Sequence, residues 1–323
     1  MRGVCLAHNR EYDDERGYGS AWSLASKKEL VALGADWISV TAFGHQEALE
    51  SRQVTFDPLH HESDARLEAE VAQAHKLGFK VMHKPHMHIN PSLWRGHIEP
   101  TGPDGWDAWF EGYTTFILHH AQLAARLEVE AFVVGLELAS TSWYHRKRWV
   151  TLIDAVREVY PGMLVYAANW NEAQRVVFWD KVDAIGIQFF PPLSEAAHPT
   201  AQELRVSIDH HFDQYDALAR EHNKPIILTE FGYKAIQHTT SAPNTWPQHL
   251  PAEARVTYEH NQALAYAVLL EAVAARERIA GLFVWKWFTD VDTDPEGAIG
   301  FSPRGRQAAG ILRKAFAAKA ASE

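Results

Sequence analysis

The 323-residue sequence predicts a single-domain α/β protein, one (β/α)8 TIM barrel spanning residues 1–323. Three observations lead there. Short apolar runs alternate with helical periodicities along the chain, which is the pattern of βα units. The runs number eight: Gly3–Ala7, Trp37–Thr41, Lys80–Lys84, Ala131–Glu137, Leu164–Ala168, Ala184–Phe189, Pro225–Glu230 and Gly281–Trp287. The turn after the first run, Ala7-His8-Asn9-Arg10, is not the glycine-rich phosphate loop that an open doubly wound sheet places there.

The segments between the runs read as helices. Ser26 with Glu29 reads as a capping box ahead of Leu30, Val31 and Leu33, and Gly34 closes that helix. A second helix covers Asp64 to Leu77, with Leu67, Val71 and Ala74 on one face and Gly78 as its stop. After strand three, Trp106, Trp109, Phe110, Tyr113, Phe116, Ile117 and Leu123 mark one face of a long helix. Trp149, Ile153, Val156 and Val159 mark another, ended by Pro161-Gly162, and the final crossover helix runs near Tyr258 to Ala275. No internal repeat, low-complexity tract or Pro/Gly/Ser linker interrupts the alternation.

Composition narrows the function. The net charge is −10 and there is no run of Lys and Arg, which argues against a nucleic-acid or anionic-membrane partner, since either needs a basic footprint. No apolar stretch approaches the ~18 residues needed to span a bilayer. Cys5 is the only cysteine, so no disulfide framework or cysteine-based zinc site is expected. Met1 and Arg2 lead straight into a strand-like run, which reads as a cytoplasmic chain; a secreted chain trimmed of its signal reads the same. No pattern speaks to oligomeric state. The 12 Trp, 10 Tyr and 15 Phe are more telling. An indole N–H needs a partner when buried, so in an acidic soluble chain some Trp are expected as platforms for sugar rings and the rest as core.

Two carboxylates stand out. Glu137 ends the run Phe132-Val133-Val134-Gly135-Leu136, and Glu230 ends Ile226-Ile227-Leu228-Thr229. A charge after such a run is costly unless it is paired or solvated in a cleft. Both fall at the C-terminal ends of strands, where a barrel presents its site, and by order they belong to strands four and seven on opposite sides of the mouth. Two carboxyls facing across a cleft are the apparatus of glycosidic bond cleavage. The competing reading is a pair of structural ion pairs.

Other residues fill out the site. Trp285 and Trp287 are two apart and so share a strand face, with packing of Trp287 inside the barrel as the alternative. Asn169, Trp170 and Asn171 offer amides beside an indole. Strand three ends in His83-Lys84-Pro85-His86-Met87-His88, where Lys84 or His86 is expected to donate hydrogen bonds to substrate. His86 and His88 alternate onto one face, which keeps open a metal-dependent hydrolase, although no third ligand is found at the neighbouring strand ends. Glu11, Asp13, Asp14 and Glu15 read as a solvated loop.

These residues resemble a known family. The segments Lys84-Pro85-His86, Trp94-Arg95-Gly96, Gly135-Leu136-Glu137-Leu138, Ala167-Ala168-Asn169-Trp170, Phe178-Trp179-Asp180, Ile185-Gly186-Ile187, Thr229-Glu230-Phe231-Gly232-Tyr233 and Trp285-Lys286-Trp287 follow one another in the order seen in glycoside hydrolase family 113. That family holds β-mannanase-like enzymes of a large clan of retaining (β/α)8 glycosidases. The resemblance implies Glu137 as general acid/base, Glu230 as nucleophile and a β-mannan or manno-oligosaccharide substrate, with no metal or organic cofactor. Lys84, His86, Trp94, Asn169, Trp170, Tyr233, Trp285 and Trp287 are then the expected substrate contacts. Two positions depart from the clan pattern. Leu136 stands where Asn usually precedes the acid/base, leaving Asn169 to reach the sugar 2-hydroxyl. After strand six the chain reads Gln188-Phe189-Phe190-Pro191-Pro192 where a Tyr is expected, leaving Tyr233 or Tyr166 to supply a hydroxyl to the nucleophile. These departures keep open a barrel that binds glycans without cleaving them. A double displacement requires the two carboxyls about 5–5.5 Å apart.

Overall fold

A computed structural model describes residues 1–8, 14–57, 59, 62–89, 93–245, 249, 252 and 257–320. Eight parallel strands close into a barrel: β1 (Arg2–Ala7), β2 (Trp37–Val40), β3 (Lys80–His83), β4 (Ala131–Leu136), β5 (Met163–Asn169), β6 (Ala184–Phe189), β7 (Ile226–Phe231) and β8 (Ile279–Phe288). Each strand pairs with its neighbours in sequence order, and β1 closes the ring by pairing with both β2 and β8. Two short parallel strands, Phe43–His45 and His86–His88, pair with each other beyond the ends of β2 and β3. The predicted TIM barrel is the fold observed.

The helices are α1 (Ala21–Leu33), α2 (Asp64–Lys76), α3 (Gly105–Arg126), the single turn α4 (Ala139–Ser142), α5 (Arg146–Val159), α6 (Ala201–His222), α7 (Glu259–Ala274) and α8 (Gln307–Ala320). Between β5 and β6 the crossover is made by two 3-10 turns, Ala173–Arg175 and Trp179–Lys181. The expected capping box at Ser26 is a correction. The Ser20 side chain accepts from the Ser23 N–H and starts α1 six residues earlier, while buried Ser26 donates to the Phe288 carbonyl at 2.7 Å. Gly34 does close α1, in the left-handed conformation. The true capping box is Thr200 with Glu203, at the start of α6. Of the acidic loop, Glu11 and Asp13 lie outside the described residues, and Asp14 and Glu15 sit on a 3-10 turn.

Strand alternation divides the apolar residues into two cores. Cys5, Met82, Val133, Val165, Ala167, Ile227 and Phe283 pack together in the barrel interior. Val4, Leu6, Ile38, Val81, Phe132, Val134, Tyr166, Ile187 and Leu228 face outward and pack under helix residues such as Leu30, Trp109, Trp149 and Leu269.

Bulges break this alternation near the C-terminal ends, where function is expected. In β7, Leu228 and Glu230 oppose the consecutive residues Ile187 and Gln188 of β6, so β7 carries one extra residue there. The same extra residue shows against β8, where Leu282 and Val284 oppose Leu228 and Phe231. Strict alternation from interior Ile227 would send Glu230 outward; the bulge turns it into the mouth. In β8, Val284 and Trp287 oppose Val4 and Leu6 of β1, again one residue too many. Trp285 therefore stays with the interior core while Trp287 joins the outer one.

Candidate active site

Glu230 sits at the mouth with its side chain 7% exposed and in contact with Lys84, whose ammonium donates to its Oε1. Lys84 follows β3 on the interior face it shares with Met82, and is itself fully buried. Its Nζ also donates to the Thr229 carbonyl at 3.3 Å and lies 3.5 Å from Cys5 Sγ on the barrel floor. Burial alone would lower the Lys84 pKa; the surrounding negative charge outweighs it and leaves the pKa raised. Burial pushes the Cys5 thiol up to about 12, so at neutral pH the compensating charge is the Glu230 carboxylate. His86 Nε2 is 3.9 Å from the same carboxylate oxygen.

Glu137 follows directly on β4. Its φ of 52° lies in the left-handed region, uncommon for a residue with a side chain, and its N–H donates to the Ala167 carbonyl at 2.9 Å. Leu136 fills the interior core beside it, with no polar atom to offer a sugar. The Glu137 carboxylate accepts a long bond, 3.4 Å, from the Trp94 indole and lies 3.8 Å from the Arg95 guanidinium. Its pKa is raised. Burial is the main cause, Arg95 opposes it, and the negative charge of Glu230 adds to it. Each carboxyl therefore lies within electrostatic reach of the other.

The remaining predicted residues divide into those at the mouth and those that are not. Trp94, Asn169, Trp170 and Trp285 are half-buried, but the Trp170 ring packs edge-on against His211 of α6. Asn169 shares the interior parity of Val165 and Ala167, and Trp285 carries the Lys84 ammonium 5.6 Å from its ring centre. Tyr233 and Trp287 are corrections. Tyr233 is buried against the Tyr266 ring, and its hydroxyl has no hydrogen-bond partner among the described residues. Trp287, turned outward by the β8 bulge, is covered by Arg304 at 4.8 Å. Neither proposed replacement for the missing tyrosine hydroxyl reaches the Glu230 carboxylate: Tyr166 faces outward and donates to Glu172 at 2.5 Å. The group in contact with that carboxylate is Lys84. His86 and His88 both pack edge-on against Phe43. Among the described residues the group whose ligand atoms converge is another one, Asp64, His119 and His120 at the α2–α3 contact.

The comparisons with known proteins bear on the family. The sequence model of Glycoside Hydrolase Family 113 matches residues 11–299. The chain belongs to glycoside hydrolase family 113. A family 113 β-mannanase from Alicyclobacillus acidocaldarius, solved in complex with ManMIm, superposes with a TM-score of 0.84 at 25% identity, covering 98% of this chain and 97% of that one. A complex of a family 113 β-1,4-mannanase gives 0.83 at 24% identity, with 98% of both chains covered. A β-galacturonidase of family 2 from Eisenbergiella tayi shares the fold, with a TM-score of 0.60 at 16% identity; this chain spans 51% of its length. Comparison with curated protein sequences found no match.

In this family 113 glycoside hydrolase, sequence reasoning missed three groups around the pair. Arg95 lies inside the Trp94-Arg95-Gly96 segment but twelve residues beyond β3, on the 3-10 turn Arg95–His97, and only that segment pointed to it. Gly96 permits the arrangement, because a Cβ there would fall 2.4 Å from the Trp94 ring. Lys286 pairs with Glu296 at 2.7 Å beside Trp285, with nothing in the sequence to join them. Glu172, three residues after Asn169, is fully buried behind the site.

Proposed function

We propose that this glycoside hydrolase cleaves β-1,4-linked mannan or manno-oligosaccharides by double displacement with net retention. Glu230 is the nucleophile and Glu137 the general acid/base. The observation that carries the reading is the contrast between two carboxyls at one mouth: Glu230 is matched by the Lys84 ammonium, whereas burial and the charge of Glu230 raise Glu137. Pairs of carboxyls in opposed environments mark acid and nucleophile. The mannan substrate is drawn from the names of the structural neighbours.

In the first step a Glu230 oxygen attacks the anomeric carbon while Glu137 gives its proton to the departing glycosidic oxygen. The sugar is then esterified to Glu230, whose negative charge is gone. With that charge removed, Glu137 loses one of the influences that raised it and becomes the base that takes a proton from water. Water attacks the anomeric carbon from the face the leaving group vacated, and Glu230 departs as a carboxylate beside Lys84. Trp94 and Trp285 offer ring faces to the sugar, and Asn169 and His86 offer polar atoms to its hydroxyls.

The test is hydrolysis of β-1,4-mannan, manno-oligosaccharides and a panel of aryl β-glycosides, with the first-formed anomer followed by NMR. The β-anomer of mannose-terminated products is expected first. Glu230→Ala is expected to be inactive and to regain turnover with azide, giving an α-configured azide. First-formed α-product would overturn the double displacement, and manno-oligosaccharide binding without any product would leave a glycan-binding barrel.

A further inference from the structure

Glu172 is completely buried, yet it belongs to neither carboxyl of the pair. Its three donors are all neutral. Oε1 accepts from Ser142 Oγ of α4 at 2.6 Å and from the Tyr166 hydroxyl of β5 at 2.5 Å, and Oε2 accepts from the Asn169 N–H at 2.8 Å. A buried carboxylate without a cation in contact is costly, and these three hydrogen bonds are what offset the cost.

The hydrogen bonds lead to the mouth. The Tyr166 hydroxyl that donates to Glu172 also accepts the Leu138 N–H at 3.0 Å. Leu138 directly follows Glu137, whose left-handed backbone is anchored on its other side by the bond to Ala167. Both anchors come from consecutive residues of β5. A hydroxyl that donates to a carboxylate is polarised into a better acceptor, so charge on Glu172 tightens the grip on Leu138. The same carboxylate holds the backbone of Asn169 through its second oxygen.

We propose that Glu172 is a positioning residue for proton transfer: through the Tyr166 hydroxyl it fixes the left-handed turn that aims Glu137 at the glycosidic oxygen. The inference rests on the assignment of Glu137 as acid/base. The titratable groups facing Glu172 are Tyr166 from β5 and Glu137 from the end of β4; α4 and the Asn169 turn present only neutral donors. Burial pushes Glu172 up to about 7, the three donors oppose this, and the charge of Glu137 adds to it. Protonation, for which Oε2 keeps one free lone-pair site, would remove the charge that polarises the Tyr166 hydroxyl.

The experiment compares Glu172→Gln and Tyr166→Phe with the parent enzyme on two aryl β-mannosides, one with a leaving group that needs a proton and one that does not. Misdirecting an acid by about 1 Å costs on the order of 10²-fold. Both variants are expected to lose roughly that factor in kcat on the poor leaving group and far less on the good one. Glu172→Gln is also expected to lose the pH limb near neutrality. Equal losses on both substrates, or an unchanged ratio, would overturn the proposal. Tyr166→Phe, which keeps Glu172 and severs the link to Leu138, carries the test if Glu172→Gln does not fold. Glu137→Ala on the same substrates separates the two readings: if it too shows no leaving-group dependence, the acid/base assignment fails and not merely the role of Glu172.

Discussion

Lys84 and Glu230 stand 146 positions apart in the chain and meet at the barrel mouth, the ammonium fully buried and the carboxylate 7% exposed. Removing one partner of a buried pair strands the other charge, which costs about 3–5 kcal/mol. Lys84→Met is therefore expected to lower stability by that amount in urea unfolding at neutral pH. It is also expected to depress kcat, because Glu230 must depart as a carboxylate without a counter-charge. The double variant Lys84→Met/Glu230→Leu removes both charges and should recover most of the stability while remaining inactive. A double variant no more stable than Lys84→Met would show that the pair is not the source of the loss.

As the proposed general acid, Glu137 is expected to set the alkaline limb of the pH profile. Its pKa is raised chiefly by burial, so the acid form persists above the usual carboxyl range and kcat/KM should fall only beyond it. Arg95 pulls in the other direction. Arg95→Met is thus expected to move the alkaline limb to higher pH. Gly96→Ala, which drives a Cβ into the Trp94 ring and displaces the indole from Glu137, should move it the same way. Stability follows the same sign. A carboxyl raised in the folded state contributes stability that is present below the unfolded value and is lost as pH rises through the folded one. Glu137→Gln should flatten that loss. A limb that moves downward in Arg95→Met would contradict the electrostatic account.

The strands were legible because each is a short, continuous apolar run, the mark of a parallel sheet covered on both faces. Their observed bounds differ from the expected ones by no more than two residues at either end, and Ala184–Phe189 is observed as expected. The start of α1 was misplaced because Ser26 and Glu29 imitate a capping box, while the working cap, Ser20 to the Ser23 N–H, has no acidic partner to advertise it. Glu137 and Glu230 could be picked out as charges ending apolar runs. Their aim could not, since it depends on a left-handed residue after β4 and a bulge in β7, neither of which has a composition signal. The same blindness misplaced Trp287: period-two reasoning is right for Phe283 and Trp285 and fails one bulge later. Glu172 was hidden for a different reason, because a lone Glu in Asn169-Trp170-Asn171-Glu172 looks like a solvated loop.

Gly232 lies two residues beyond Glu230, where the end of β7 passes under the backbone of β8. A Cβ at that position would fall 2.0 Å from the Trp285 carbonyl oxygen. Backbone cannot move aside as a side chain can, so Gly232→Ala must push apart the strand ends that carry Glu230 and Trp285. Loss of nearly all activity and a lower Tm are expected together, by assay and thermal unfolding. Wild-type activity in a folded Gly232→Ala variant would mean that the two strand ends are not held in register there.

Lys27 and Glu70 offer a control for the first prediction, because they form a second buried Lys–Glu pair outside the site. Lys27 Nζ lies 2.5 Å from Glu70 Oε1, and neither side chain reaches solvent. Glu70 further accepts from Ser23 Oγ and from the Gly19 N–H at 2.7 Å, so the network ties α1 and the turn before it to α2. Burial lowers the Lys27 pKa while Glu70 opposes the fall. Lys27→Met leaves Glu70 buried among donors but without its cation, and should cost about 3–5 kcal/mol, as for Lys84→Met. The two substitutions should part in catalysis. Measured well below its Tm, Lys27→Met is expected to keep the parent kcat and pH profile, since α1 and α2 lie on the outer layer away from both carboxyls. A kcat loss in Lys27→Met comparable to that in Lys84→Met would show that destabilisation alone lowers turnover, and the special place given to Lys84 beside Glu230 would fall.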